Sequence, residues 1–289
     1  MKIYVNRRPV SGPWGGGNKT LEALVGALEL EHQVTYTLDN DVDVIYCQDP
    51  KPGPDGLWYQ DFINHKINHG TKIVQRVGDV GTHRGPQVTK LVQETVNYSD
   101  VVIFPSDWSR HTIGFNKTNY FVIHNAPNDN FYTHRDMSLQ LKHKDRLKVV
   151  THHWSTNDMK GFEVYEALGK YAKDNDYLDF SYIGRYSDKF GHDGLTLEEP
   201  KGVEELARVL PTNDVYLTAS KLEAGANHVL EGLACGLPVL YRNGGGSIDE
   251  YCCQYGLQYT SFEELVNALE HVNKISDVIK TYTEIIGSL

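Results

Sequence analysis

Two doubly wound α/β domains facing a cleft are what this 289-residue sequence predicts, and three observations predict it. Apolar runs of strand length recur along the whole chain, most of them separated by helical patterns. The rhythm breaks once, at His124–Arg146, and then resumes. Glycine-rich and small-residue turns lie where strands hand over to helices, which is where open parallel sheets bind ligands.

In chain order, Met1–Val5 reads as a strand, followed by the glycine-rich loop Gly12–Gly17 and an amphipathic helix over Thr20–Leu30. Strand-like runs follow at Val34–Leu38, Val42–Tyr46, Lys72–Val77, Val101–Phe104 and Tyr120–Ile123. Helical patterns at Leu57–Asn68, Pro86–Asn97 and Trp108–Phe115 separate most of them. Pro127, several Asn and a mixed-charge run mark the break. We place a first domain at residues 1–130, a linker at 131–146 and a second domain at 147–289. The second alternation begins with a strand at Leu147–Thr151 and a helix near Gly161–Asp174. Strands near Phe180–Ile183, Val215–Thr218, Val239–Tyr241 and Leu257–Tyr259 come next, with helices between. Two closing helices, Phe262–Val272 and Ser276–Ile286, complete the second sheet or cross back to the first domain.

Composition excludes several classes of function. A net charge of −10 and an isoelectric point near 5.7 disfavour nucleic-acid and anionic-membrane partners, because long-range phosphate binding needs the opposite sign. No apolar stretch approaches the roughly 20 residues of a membrane span. Met1–Val5 runs into a strand rather than a signal peptide. The four cysteines, Cys47, Cys235, Cys252 and Cys253, have no metal-ligand spacing. The expectation is a reduced, cytoplasmic protein.

The stretch Ser220–Glu250 carries the strongest functional signal. Glu223 lies in a loop after the strand Val215–Thr218, and Glu231 about one turn inside the next helix, with Ala224-Gly225-Ala226 and Asn227-His228 between. The plain reading of two such carboxylates is a pair of surface glutamates flanking a turn. A richer one uses the helix start. Its N–H groups at Ala226, Asn227 and His228 would take a phosphate, one carboxylate sugar hydroxyls and the other a ribose diol. That is a docking site for a nucleotide sugar. Lys160 opens another predicted helix, where a mobile cation beside the helix dipole suits a diphosphate. Gly16 and Gly17 would let backbone N–H groups approach a phosphate or sugar closely. The loop Gly78–Gly85 gathers Asp79, His83 and Arg84 in one turn, with His83 and Arg84 the candidates for orienting an acceptor hydroxyl. Neither G-x-G-x-x-G nor a P-loop is present, nor a D-x-D pair where a metal would help.

These residues resemble the E-x7-E signature of the retaining glycosyltransferases of family 4, the group 1 enzymes. Ser220, Glu223, Ala224, Glu231, Gly232, Leu233, Ala234, Gly236, Pro238 and Val239 all match it. Asp100–Arg110 and Phe121–Phe131 are similar to two first-domain segments of the same family. The resemblance implies the GT-B fold of two Rossmann-like domains, with the nucleotide sugar mainly on the second domain and the acceptor mainly on the first. It implies catalytic roles for Glu223, Lys160 and His83. Substrate contacts would come from Gly16, Gly17, Arg84, His153, Arg185, Ala226, Asn227, His228 and Glu231. Glu223 would hold hexose hydroxyls, Glu231 the ribose, and Lys160 the diphosphate.

One departure stands out. The family places an Arg five or six residues before that lysine, and this chain has Ser155 and Trp154 there. His152, His153 or Arg185 would have to supply the missing donor; otherwise the diphosphate is held more weakly. The implied activity is metal-independent transfer of a hexose from a nucleoside-diphosphate sugar, UDP- or GDP-linked, to a hydroxyl of a glycan or other acceptor, with retention and no cofactor. Two alternatives remain: a catalytically silent nucleotide-sugar-binding protein and a GT-B sugar-nucleotide epimerase.

Overall fold

A computed structural model describes residues 1–10, 15–132 and 146–287, with side chains as far as Lys274. The chain divides into two units. The first comprises Met1–Ala126 with Leu222–Ala226, and the second Pro127–Lys221 with Asn227–Leu289. Of the expected linker, residues 133–145 lie outside the described residues.

The first unit holds β1 (Lys2–Val5), α1 (Gly16–Glu29), β2 (Gln33–Thr35), β3 (Val44–Cys47), α2 (Tyr59–His69) and β4 (Lys72–Arg76). It continues with α3 (Pro86–Thr95), β5 (Val101–Phe104), α4 (Asp107–Ile113) and β6 (Tyr120–Val122). The strands pair in the order β2-β1-β3-β4-β5-β6, every pair parallel. Strands such as KIYV and VIYC are short apolar runs because a parallel sheet is covered by helices on both faces. Tyr4, Ile45, Phe62 and Ile73 pack one face, with Val102, Phe104, Ile113 and Phe115 forming a separate cluster.

The second unit holds β7 (Leu147–His153), α5 (Phe162–Lys173), β8 (Leu178–Gly184), β9 (Thr196–Glu198), α6 (Val203–Val209) and β10 (Val215–Thr218). It ends with α7 (Asn227–Ala234), β11 (Val239–Arg242), α8 (Ser247–Cys252), β12 (Gly256–Tyr259) and α9 (Phe262–Gly287). Its strand order is β12-β11-β10-β7-β8-β9, again all parallel. The core is rich in aromatic side chains, with Tyr165, Tyr182 and Phe180 fully or almost fully buried.

Both sheets reverse direction once. The chain leaves β1 toward β2 and returns to build β3 on the other side. It likewise leaves β7 toward β8 and β9, then builds β10 on β7's opposite edge. At such switch points adjacent crossovers diverge and leave a crevice beyond the strands' carboxyl ends. The β1/β3 and β7/β10 junctions are therefore where ligands are expected.

The predicted fold class holds, and four details differ. Helix α1 begins at Gly16, so Gly16 and Gly17 form its first turn rather than a loop. β2 stops at Thr35, where the side chain of Thr35 accepts from the Thr37 N–H at 3.1 Å and turns the chain. The two predicted closing helices are one helix, α9, because no glycine or proline interrupts His271–Asp277. β9 was not anticipated; at three residues it carries too little pattern to read. No helix among the described residues is long and apolar enough to cross a membrane.

Candidate functional site

At the β7/β10 switch point of the second unit, the last two residues of β7 are His152 and His153, both buried. β10 delivers Tyr216 and Thr218, and α7 delivers His228 and Glu231. Helix α7 approaches β10 closely enough that a Cβ on Gly232 would come within 2.7 Å of the Tyr216 ring. The Glu-Gly pair therefore has a steric cause: glycine permits the approach that brings Glu231 against the end of β7.

The consequence is a buried hydrogen-bonded relay. His152 Nε2 lies 2.7 Å from Glu231 Oε2, and the Tyr216 hydroxyl lies 3.0 Å from His152 Nδ1. Burial, the largest cause, pushes the Tyr216 hydroxyl well above its ordinary range, so it keeps its proton. The phenol therefore donates to Nδ1, and Nε2–H is left to donate to the Glu231 carboxylate. Glu231 is only 4% exposed; a carboxylate so deep in the fold requires partners of this kind. A carboxylate fixed in this way accepts hydroxyl donors, such as the vicinal pair of a ribose, without reorganising.

His153 is held differently. Tyr165 OH accepts from the Ala219 N–H at 2.9 Å and lies 2.7 Å from His153 Nε2. The other ring nitrogen, Nδ1, is buried and has no hydrogen-bond partner among the described residues. Burial first, then the neighbouring Lys160 ammonium and the His152 ring, hold His153 well below its ordinary pKa. Ser220 Oγ, just beyond β10, is also buried without a partner. Unsatisfied buried polar atoms are rare in native proteins and call for an explanation. Two of them at a switch point make this crevice the candidate place for a ligand.

Lys160 reaches this place through its glycine. It ends a short 3-10 turn, Asp158–Lys160, two residues before α5 begins at Phe162, rather than opening that helix as the sequence led us to expect. Gly161 has φ 79°, and a Cβ there would meet Ala219 O at 2.3 Å. The turn is also tied to the end of β10 by the Lys221 N–H, which donates to Met159 O at 2.8 Å. The Lys160 ammonium bears electrostatically on His153.

Arg185 follows β8. Its backbone N–H donates to His153 O at 3.0 Å, and its guanidinium lies 3.8 Å over the Trp154 ring. Trp154 occupies one of the two positions where the resemblance leads one to expect an arginine. A cation stands over that position from the neighbouring strand.

The remaining candidates belong to the first unit. Glu223 and Ala226 lie in the Leu222–Ala226 loop, where Ser106 Oγ donates to Ala224 O and Thr82 Oγ1 donates to Leu222 O, each at 2.8 Å. Glu223 is buried. His83 and Arg84 sit in the turn between β4 and α3, Arg84 ion-paired with Asp79 at 3.3 Å. Gly16 and Gly17 open α1, and Gly17 and Arg84 line a cavity at the β1/β3 switch point.

Sequence reasoning missed Tyr216, Tyr165 and Thr218, and named His152 only as one optional donor. An apolar strand ending in two histidines is the signal that was available.

No protein-family model matches this chain, and no curated protein sequence matches it. Solved structures do. A sucrose-phosphate synthase from Thermosynechococcus elongatus aligns with TM-score 0.69 at 15% identity, over 97% of this chain and 90% of that one. WaaG, a glycosyltransferase involved in lipopolysaccharide biosynthesis, aligns with TM-score 0.64 at 13% identity, over 98% and 93%. The pneumococcal O-GlcNAc transferase GtfA, in complex with UDP and GlcNAc, aligns with TM-score 0.55 at 13% identity, over 91% of this chain and 53% of that one. At these identities the likeness establishes the fold: two Rossmann-like α/β units of the kind found in GT-B glycosyltransferases.

Proposed function

We propose that this protein is a retaining glycosyltransferase of the family-4 type. It moves a hexose from a nucleoside-diphosphate sugar to an acceptor hydroxyl without a metal ion. The observation that carries the reading is the Tyr216–His152–Glu231 relay at the β7/β10 switch point, with the buried, partnerless Nδ1 of His153 beside it. Glu231 takes the ribose hydroxyls. Lys160, Arg185 and the first N–H groups of α7, around Ala226, Asn227 and His228, take the diphosphate. His153 Nδ1 pairs with a polar atom of the donor. Glu223 takes the hydroxyls of the hexose, with His83 on the acceptor side.

In the reaction, the bond from the anomeric carbon to the diphosphate oxygen breaks and the acceptor oxygen bonds to that carbon on the same face. The acceptor proton goes to the departing diphosphate oxygen. The protein's contribution is to stabilise charge that grows on the diphosphate, which fixed cations and N–H donors do without reorganisation. Retention on this route needs no enzyme nucleophile.

UDP is the favoured nucleotide, since a structural neighbour was solved with it. The test is a thermal-shift series with UDP, GDP, ADP and their hexose conjugates, on wild type and Glu231→Gln. Ligand binding to the native state raises the melting temperature. One nucleotide is expected to do so, with the shift lost in the variant. No shift with any nucleotide would sink the reading. Anomeric analysis of the product then separates transfer from epimerisation, and its absence despite binding identifies a silent binder.

A further inference from the structure

The cavity at the switch point of the first sheet encloses about 460 Å³, within the range of small-molecule sites. Its walls come from the carboxyl ends of β1, β3 and β4 and from the first turn of α1. Five cations line it, Arg7, Arg8, Lys51, Arg76 and Arg84, against two carboxylates, Asp49 and Asp79. In a chain of net charge −10 this is a concentrated local excess of positive charge. None of it is visible as a charge run, because the five residues come from four separate loops or strand ends.

The cations are held in place largely by neutral groups. The Arg7 guanidinium donates to Asn6 O at 2.8 Å, Lys51 O at 2.6 Å and Pro52 O at 3.2 Å. Arg8 lies 4.4 Å over the Tyr36 ring. Arg76, 7% exposed at the end of β4, donates to Asn125 Oδ1. Carbonyls, an amide and a ring orient a guanidinium without cancelling its charge. The carboxylates stand at longer range, Asp49 at 3.9 Å from Arg7 and 3.8 Å from Lys51, Asp79 at 3.3 Å from Arg84. Gly17 and Asn18 add the start of α1, which has no acidic residue in its first turn and no side-chain cap.

We propose that this basin binds a phosphate monoester carried by the acceptor, making the acceptor a sugar phosphate or a comparable small phosphorylated molecule. The word "acceptor" rests on the glycosyl-transfer reading; the phosphate site does not. A dianion matches the excess of cations better than a carboxylate does, and arginine forks bind phosphate oxygens in pairs.

Calorimetric titration of the full chain tests it. Glucose 6-phosphate, fructose 6-phosphate, inorganic phosphate and glucuronate are titrated into wild type, an Arg8→Ala/Arg84→Ala double variant, Lys51→Ala and Glu231→Gln, with UDP as the second ligand. A hexose phosphate is expected to bind wild type, at least ten-fold more weakly to the double variant, several-fold more weakly to Lys51→Ala, and unchanged to Glu231→Gln. The proposal is overturned if no phosphate binds wild type, or if the double variant, still folded by its melting curve, binds as well. Equal binding of glucuronate overturns the phosphate assignment. Loss of UDP binding in the double variant, with hexose phosphates inert, assigns the basin to the donor and overturns the proposal. If UDP does not bind wild type while the hexose phosphate does, the donor reading fails and the phosphate site stands.

Discussion

The two switch points are built by the same topology and equipped in opposite ways. At β1/β3 the strand ends carry arginines and a lysine around an open basin, held by carbonyls and a ring. At β7/β10 two histidines and Tyr216 from the strands meet Tyr165 and Glu231 from the flanking helices, almost wholly buried and joined by short hydrogen bonds. The first arrangement attracts charge at a distance; the second presents individual donors and acceptors at fixed positions. Topology therefore sets where each unit's crevice lies, and the residues around it set its chemistry. An anion-collecting basin tolerates loss of one contact, since its charges act in parallel. A relay is more sensitive, and most so at the carboxylate that carries its charge, because each member fixes the proton position of the next.

The largest effect should come from Glu231→Gln, which removes the charge that the relay holds. We expect roughly a 100-fold loss of nucleotide affinity, on the order of one or two charge-assisted hydrogen bonds, with phosphate binding in the first unit unchanged. A parallel loss at both sites, read by calorimetry, would break the contrast. Next comes Gly161→Val. Its Cβ would meet Ala219 O at 2.3 Å on a backbone at φ 79°, so a destabilisation of about 2–4 kcal/mol is expected by denaturant titration. Nucleotide binding should suffer and hexose-phosphate binding should persist.

Protonation offers a third way to sharpen the comparison. His153 is held below its ordinary value of 6.5 chiefly by burial, so the unfolded chain binds its proton more readily. Stability is then lost as pH falls below about 6.5, with a slope of at most about 1.4 kcal/mol per pH unit from this group. Melting curves from pH 7 to pH 5 should show that slope in wild type and a shallower one in His153→Asn. Equal slopes would put the titrating group elsewhere. The smallest effect is expected for Tyr216→Phe, which loses the donor to His152 Nδ1 at a cost of about 1 kcal/mol in stability. Nucleotide affinity should fall less than in Glu231→Gln. An unchanged affinity would mean that Glu231 is positioned without the relay.

Much of this was legible beforehand, for reasons visible in particular residues. The runs KIYV, VIYC and VYLT announce strands because a doubly covered sheet needs apolar residues on both faces. Lys160 and Glu231 are legible as candidates, and the glycine that follows each has a steric cause. The start of α1 was misplaced because glycines at a helix N-terminus look like a loop. The division of α9 was misplaced because Ser276 resembles a cap. Tyr216 and Tyr165 were invisible as site residues, since an aromatic residue in an apolar run is most often core.

The sequence by itself determined the alternation of strands and helices, the parallel sheets, the turn chemistry and the identity of the two carboxylates, because these depend on contacts within a few residues. Only the tertiary structure decided the strand order, and with it the two switch points. It brought His152 within 2.7 Å of Glu231, 79 residues away. It left His153 Nδ1 and Ser220 Oγ buried without partners. It gathered Arg7, Lys51, Arg76 and Arg84 around one basin. Periodicity records which face of an element is buried. Which elements lie side by side is set by packing the whole chain, and a proton's position or a local excess of charge follows only from that.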